Sequence, residues 1–511
     1  MDEILSLPII ARGRIIAPRD GDMVQHKGRG GAEFCSPNPH KHVHDLVLGN
    51  TALLSDLAAT KVKDIVDFLE AVGQRLKLDD NEWLQQSFAL ALQAGGLTEP
   101  VLRGVYDSVP HMFDPQRLLA QADKTVGINY LDGWVPGEGR FANIRIRAVG
   151  TRQLHITAGN VPVVAALTII NAALTKSDCL IKTPSNDPLT ASAIARTMIE
   201  LDATYPVVKH LAVAYWKGGD EFMDSQIIRT ARIDKITAWG GMASVKHIQK
   251  FLVPGIDLTA LNPKYSMSMI GREALASDAA MQEAATGLAV ISGYFNQTAC
   301  ANTRIVYVES ETDDASLERV IALGRKIIAA YHTLPPVLST PATMPNKELE
   351  AELEAAALAD DFYHVEGNTL TGGFIVSRFP DRVDFYDKLN NRVINLVPVP
   401  DLLDVTKWCD DTTQTVGIYP ESMRDRLLDA FALAGVQRLV SLQGGNAMQI
   451  YQDMHMLPPG SPHDGIEPMR RNVRWVIDHR PAGAFIEHRP VGAFIEHHPV
   501  GAEAKLSMAA E

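Results

Sequence analysis

Cys300 has the setting of a nucleophile. It follows an apolar, helix-like run over 279–292 and lies within Asn296-Gln297-Thr298-Ala299-Cys300-Ala301-Asn302-Thr303-Arg304, a polar, small-residue turn ahead of a β-type run over 304–308. A thiol on such a loop is open to substrate, and a neighbouring cation or amide dipole favours the thiolate, the form that attacks carbonyl carbon. The same surroundings also suit a small buried hydrophobe, the usual fate of a free cysteine. Of the other three cysteines, Cys179 opens an apolar strand pattern and reads as core, while Cys35 and Cys409 have no comparable context. Gly240-Gly241 stands between a strand pattern and a helix pattern, where backbone N–H groups can hold a phosphate; an ordinary glycine turn reads the same way. His40, His42 and His44 alternate near Cys35, but in a segment rich in Pro and Gly with Lys41 interposed, which favours a solvated loop over a metal site. No metal is expected. The chain has no G-x-S-x-G nucleophile elbow, which sets a serine hydrolase aside, and no G-x-G-x-x-G follows a predicted strand, so the common dinucleotide fingerprint is missing.

These residues need elements to hold them. Between 154 and 252 the hydrophobic period alternates: β-type over 154–158, helical over 162–175, strand over 179–182, helix over 188–202, strand over 210–215, helix over 221–230, strand over 235–239 and helix over 243–252. Four βα units in succession predict an α/β domain with a parallel sheet covered on both faces. Ligands bind such sheets at the carboxyl ends of the strands. That places the emphasis on Gly159-Asn160, Thr183-Pro184-Ser185, Lys217-Gly218-Gly219 and Gly240-Gly241. A second α/β unit is expected after residue 276. Upstream, Val62, Ile65, Leu69, Val72 and Leu76 step by three and four, so the region to about 125 reads as mostly helical, whereas residues 1–50, with Pro8, Pro18, Pro37 and Pro39, read as irregular. Ile144 and Ile146 alternate with Arg145 and Arg147, which predicts a strand. A nonapeptide beginning at His479 recurs at His488 and, decaying, at His497; an extended tail is expected there.

The chain of 511 residues, 46% hydrophobic and 21% charged, is long enough for two or three packed units. Its net charge of −13 argues against nucleic acid as the main partner, because phosphate binding needs a cationic surface. Four cysteines without CxxC spacing support neither a disulfide framework nor a zinc ribbon, so a reducing cytoplasm is the expected setting. The acidic start Met1-Asp2-Glu3 lacks the form of a secretory signal. The apolar stretch 161–174 contains Pro162 and Asn171 and falls short of the roughly 20 residues of a membrane span.

Six motifs in order, from Ile144 to Trp475, carry a family resemblance: His155-Ile156-Thr157-Ala158-Gly159-Asn160-Val161-Pro162, Ile181-Lys182-Thr183-Pro184-Ser185, Trp239-Gly240-Gly241, Asn296-Gln297-Thr298-Ala299-Cys300 with Arg304, Gln414-Thr415-Val416-Gly417, and Pro462-His463-Asp464-Gly465. Together they resemble the aldehyde dehydrogenase superfamily, and more closely its long-chain fatty acyl-CoA reductase branch, the LuxC-like reductases. The resemblance implies an α/β, aldehyde dehydrogenase-like fold: a Rossmann-type cofactor-binding domain plus a second α/β catalytic domain. The expected division is a mostly helical N-terminal segment over 1–125 packed on the cofactor domain, a dinucleotide-binding domain over 126–275, a catalytic thiol domain over 276–465, and an extension over 466–511 with the repeat.

By the same resemblance Cys300 is the acyl acceptor. Asn160, in the Asn-x-Pro position, donates its amide to the oxyanion alongside the Cys300 N–H. Lys182 binds the cofactor's adenosine ribose or 2′-phosphate, Gly240 and Gly241 lie against the pyrophosphate, and His463 and Asp464 are candidate catalytic-site residues whose pattern also fits a structured turn. Two departures from the superfamily matter. Where NAD-preferring members often carry a glutamate, three residues after the lysine, this chain has Ser185, which does not repel a 2′-phosphate; NADPH is the expected cofactor. Where aldehyde oxidisers carry a Glu-Leu-Gly-Gly-Lys general base, this chain reads Leu261-Asn262-Pro263-Lys264-Tyr265, which would spare an acyl-enzyme from hydrolysis. The Glu-x-Phe-Gly-Pro ribose motif is also missing. The expectation is NADPH-dependent reduction of a long-chain fatty acyl thioester, on CoA or a carrier protein, to the aldehyde. The alternatives are an NAD(P)-dependent aldehyde dehydrogenase and an inactive scaffold of an acyl-transfer complex. A homo-oligomer and an acyl-protein synthetase partner are implied by the family alone.

Overall fold

A computed structural model describes residues 5–481 except 29, 30, 32, 139, 140, 262 and 456. The nonapeptide repeat therefore lies almost wholly outside the described residues. The first sheet has seven strands in the order Asp257–Leu261, Lys235–Trp239, Arg152–Ile156, Asp178–Lys182, Leu211–Ala214, Ile9–Ala11, Arg14–Ile16. The first five are parallel. From the central strand Arg152–Ile156 the chain winds outward through two crossovers, then returns to the other side at Lys235–Trp239. The two neighbouring strands therefore send their connections in opposite directions. That point of divergence opens a crevice at their carboxyl ends, where Gly159-Asn160 and Gly240-Gly241 sit.

The expected helices over 162–175 and 188–202 form as Val163–Leu174 and Thr190–Asp202. Val163–Leu174 is apolar on nearly every side because it is covered on both: the sheet lies beneath it and the N-terminal helices above. The helix Val62–Gly73 turns Val62, Ile65, Leu69 and Val72 into that same core, with Leu76 buried just beyond its end.

Residues 1–50 differ from the irregular segment expected. The short run Ile9–Ala11 pairs antiparallel with Leu211–Ala214 and with its own hairpin partner Arg14–Ile16, and Glu33–Pro37 pairs with Leu5–Ser6 and Met23–Lys27. Three apolar residues cannot show a period; distant pairing makes them a strand. Their turn is clamped by Arg12, which bonds Asp178 through Nη1 and Nη2 at 2.5 and 3.1 Å, with the carboxylate side chain only 2% exposed. His210 is the other close cation-capable neighbour, at 3.2 Å. Arg12→Ala leaves this buried carboxylate short of its main partner, and a loss of about 3 kcal/mol is expected, read as a lower urea midpoint. An unmoved midpoint would show that His210 suffices.

The second sheet runs Tyr363–Asn368, Gly372–Ser377, Val393–Val399, Thr303–Glu309, Tyr265–Ile270, Thr413–Tyr419, Arg438–Ser441, parallel except for the hairpin at its first edge. The helices Asp278–Gly293 and Asp314–Tyr331 share a core on one face of it. A third, small sheet pairs Ile144–Val149 with Val135–Pro136 and with Arg474–His479, so the chain beyond residue 466 returns to the strand predicted from the Ile-Arg alternation. No helix among the described residues is long and apolar enough to cross a membrane.

Candidate active site

The helix Asp278–Gly293 aims directly at the Cys300 loop. It ends in a tight turn, Tyr294–Gln297, in which Phe295, Asn296 and Gln297 have φ of 49°, 51° and 66°. Each non-glycine residue held there costs of order 1–3 kcal/mol, so the conformation persists only because other contacts enforce it. Three side-chain amides do so. Gln297 donates to the carbonyls of Thr303 and Val393 and accepts from the Val393 N–H; Asn302 donates to Ile291 and Tyr294 and accepts from the Ala299 N–H; Asn296 accepts from Ser339 and Thr340. Ser266 Oγ donates to the Cys300 carbonyl at 2.8 Å. The polar residues around Cys300 that look like an accessible loop in sequence are largely the buried framework that fixes it.

Cys300 itself is exposed. Its Sγ nevertheless lies among packed atoms, and that burial, helped by the Asp464 carboxylate, pushes the thiol above its ordinary range. The Gln414 amide, 3.2 Å from Sγ, and the N–H groups of Cys300 and Ala301 pull the other way. Gln414 also donates to Asp464 Oδ1, so one amide ties thiol to carboxylate. Asp464 has φ of 50° and a nearly buried side chain, while His463 is half-exposed and packs edge-on against the Trp239 ring at 5.0 Å. The Pro462–Gly465 turn thus joins the end of a first-sheet strand to the thiol on the second sheet.

This geometry fixes a sign. Alkylation of Cys300 by iodoacetamide is expected to rise with pH as the thiolate fraction rises, with an inflection above that of an ordinary cysteine. Asp464→Asn keeps an acceptor for Gln414 but removes the negative charge, so its inflection moves to lower pH and its rate at pH 8 exceeds that of the parent. A shift to higher pH would make Asp464 a proton acceptor for the thiol instead.

Asn160 follows the central first-sheet strand and reaches across to the same loop, its Nδ2 donating to the Thr298 carbonyl at 3.4 Å. The turn before it is pinned by Asn186, whose Nδ2 donates to the Gly159 carbonyl at 2.7 Å; a Cβ on Gly159 would lie 2.3 Å from the Asn186 amide oxygen. Asn160, Thr298 and Arg304 line a cavity of about 500 Å³ whose far wall is Ala91, Ala94, Leu97 and Leu102 from the N-terminal helices. Arg304 is largely buried, bonded through Nε to the Leu389 carbonyl, and near enough to Cys300 to interact electrostatically.

A second cavity, of about 350 Å³, lies on the other side of the crevice against Ile156, Lys182, Gly218, Ser244 and His247. Lys182 Nζ lies 5.4 Å from the Trp216 ring centroid and makes no hydrogen bond among the described residues. Burial lowers its pKa, opposed by Asp224 and Asp220. Gly241 caps the helix Met242–Gln249, whose first turns form the facing wall. An ammonium without a hydrogen bond and a helix start suit the phosphates of a dinucleotide. Ser185 is not among the residues lining this cavity. The polar side chains there that sequence reasoning missed are Asp224 and His247: Asp224 accepts from Trp216 Nε1 at 2.9 Å and is 2.8 Å from His247 Nε2. Trp216, directly after a predicted strand, is the one signal that pointed to them. Two of the three alternating histidines near Cys35 are taken up by carboxylates, His40 by Asp220 and His42 by Asp22 and Asp45.

Comparison with known proteins places the fold and the family. Long-chain acyl-protein thioester reductases of Aliivibrio fischeri and Photorhabdus luminescens are each 26% identical to the chain, over 85% and 93% of it and 86% and 94% of their own lengths. Among solved structures, an NADP-dependent glyceraldehyde-3-phosphate dehydrogenase of Bacillus halodurans complexed with NADP superposes with a TM-score of 0.68 at 14% identity, covering 93% of this chain and 99% of that one. An aldehyde dehydrogenase of Mycobacterium tuberculosis complexed with NAD+ gives 0.64 at 14%, over 95% and 100%. These likenesses establish the aldehyde dehydrogenase fold. The family described as acyl-CoA reductase (LuxC) matches residues 57–475, most of the chain; the protein belongs to that family.

Proposed function

We propose that this protein reduces a long-chain fatty acyl thioester, carried by CoA or by a protein, to the aldehyde with NADPH, through an acyl-cysteine on Cys300. The observation that carries the reading is that the strained loop bearing the exposed Cys300 also lines, through Gln297 and Thr298, a cavity with an apolar far wall, and receives the Asn160 amide. The acyl chain would lie along Ala91, Ala94, Leu97 and Leu102, bringing its carbonyl to Sγ. Attack forms the Sγ–carbon bond; the oxyanion is held by Asn160 Nδ2 and the Cys300 N–H, donors fixed before the charge develops. Collapse breaks the bond to the carrier sulfur, which leaves with the proton given up by Cys300. When bound, the nicotinamide would supply the hydride that the acyl-cysteine requires. The same two donors hold the second oxyanion, and its collapse breaks the Sγ–carbon bond, releasing aldehyde and Cys300. The segment around Lys264 supports reduction over hydrolysis: the lysine is bonded to the Asp411 carbonyl, and no carboxylate stands at 261–265 to activate water. Lys182 and the Gly241 helix start would hold the cofactor. Ser185 leaves no acid at its position, and the Asp224 carboxylate is already engaged by Trp216 and His247, which supports a 2′-phosphate.

Incubation with a long-chain acyl-CoA and NADPH, followed at the nicotinamide absorbance, with mass spectrometry of Cys300 after omission of NADPH, tests the reading. Loss of absorbance and an acyl adduct on Cys300 are expected. Turnover of aldehyde with NAD(P)+ and none of acyl-CoA would establish the dehydrogenase instead, and neither turnover nor adduct would leave a scaffold.

A further inference from the structure

A third cavity, of about 530 Å³, adjoins the Cys300 loop on the second sheet. It shares Arg304 with the acyl cavity, and another of its walls is Tyr265, the residue before the Ser266 that holds the Cys300 carbonyl. Four cations line it: Lys264, Arg304, Arg382 and Lys407. Only two carboxylates, Asp387 and Asp410, share the wall, and Asp410 is turned into its own loop by the N–H and hydroxyl of Thr412. None of the four cations makes an ion pair with a carboxylate among the described residues, although the chain carries 61 acids against 48 basic residues. Two of them rest on aromatic faces instead, Arg382 at 3.8 Å from the Tyr386 ring and Lys407 at 4.0 Å from Trp408. Arg382 Nη1 is buried with no acceptor. Four cations against two carboxylates, none of them ion-paired, around an open cavity of small-molecule size mark a site for a phosphate-bearing ligand.

We propose that this cavity holds the phosphopantetheine-bearing end of the thiol carrier that delivers the acyl group. The inference rests on the thioester-reductase reading. A thioester with its chain in the apolar cavity and its carbonyl at Cys300 must send its thiol side elsewhere, and this is the adjoining cationic space. The phosphate ester falls on Arg382 and Lys407, and Arg304 lies at the junction of the two halves. CoA and a carrier protein share this phosphopantetheine; only CoA adds an adenine for the Tyr386 and Trp408 faces.

Calorimetric titration of the full chain, saturated with NADPH to occupy the Lys182 cavity, is done with CoA, 4′-phosphopantetheine and unphosphorylated pantetheine. Lys407→Ala, an exposed position, and Arg382→Ala are compared with the parent. Each variant is expected to bind CoA and phosphopantetheine about tenfold more weakly, with pantetheine unchanged. Equal affinity of CoA and phosphopantetheine would point to the phosphate shared with carrier proteins, and tighter CoA to recognition of its nucleotide as well; both support the site. Undiminished binding of both phosphorylated probes by both variants overturns it. In turnover, the variants lose kcat/KM through KM for acyl-CoA but not for the matching acyl-pantetheine. A parent protein that reduces neither thioester would sink the reductase reading, and the titration would still judge the cavity.

Discussion

Cys300→Ala lowers aldehyde formation from acyl-CoA by about 10⁴-fold or more and abolishes the acyl adduct, while the affinity for NADPH is unchanged. The size follows from the division of labour. In the proposed mechanism Cys300 forms and later breaks the only covalent bond between protein and substrate, and without it the remaining donors can polarise the thioester but cannot hold the acyl group for reduction. The fold has little reason to respond. The residue as a whole is exposed and alanine removes only its sulfur, the loop conformation is set by Gln297 and Asn302 rather than by the thiol, and Gln414 keeps its bond to Asp464. Stability is therefore expected within about 1 kcal/mol of the parent, the scale of removing a single small group. The cavity proposed for the cofactor, around Lys182, is built from other strands, so cofactor titration separates loss of chemistry from loss of structure. Aldehyde formed by the alanine variant at the parental rate would end the covalent mechanism.

What the sequence reveals and what it hides follow from the range over which each interaction acts. The βα alternation from 152 to 249 is legible because period is local: Lys235–Trp239 forms as expected, and the helix Glu221–Ile227 falls short of 230 only because Ile228 leaves helical geometry. Ile9–Ala11 is not legible, because the sheet strand it joins lies some two hundred residues away and three residues carry no period. Within the site, Cys300 stands out by local context, yet its electrostatics are set by Gln414, 114 residues on, and by Asp464, a further 50 beyond that. Asn296, Gln297 and Asn302 look like the polar rim of an open loop. In the structure all three are buried, because a backbone with three consecutive positive φ angles exposes inward polar groups that only side-chain amides can satisfy. Lys182 is placed in a cavity by the strand it ends. Asp224 and His247 are not, since their pairing depends on the packing of two helices whose patterns signal only burial.

Asn160→Ala is expected to lower kcat by about 10²–10³-fold with little change in KM, the loss of about 3–4 kcal/mol that follows removal of one preorganised oxyanion donor. The split between the constants is the informative part. A ground-state thioester carbonyl accepts a hydrogen bond weakly, whereas the tetrahedral oxyanion accepts it strongly, so the amide stabilises the transition state more than the bound substrate. In the structure Asn160 Nδ2 has only a long bond, 3.4 Å, to the Thr298 carbonyl, which a stronger acceptor at Sγ would displace at small cost. Its backbone does not depend on that bond, because Asn186 holds Gly159 independently. Asn160→Asp tests the sign of the interaction: a carboxylate beside a developing oxyanion repels it and also disfavours the thiolate, so this variant should fall below the alanine and show its thiol inflection at higher pH. If Asn160 acts on the oxyanion of a bond made by Cys300, the double variant Asn160→Ala with Cys300→Ala loses little more than Cys300→Ala alone, because a donor cannot stabilise an intermediate that never forms. Additive losses in the double variant would assign Asn160 to substrate positioning, and KM would then carry the effect.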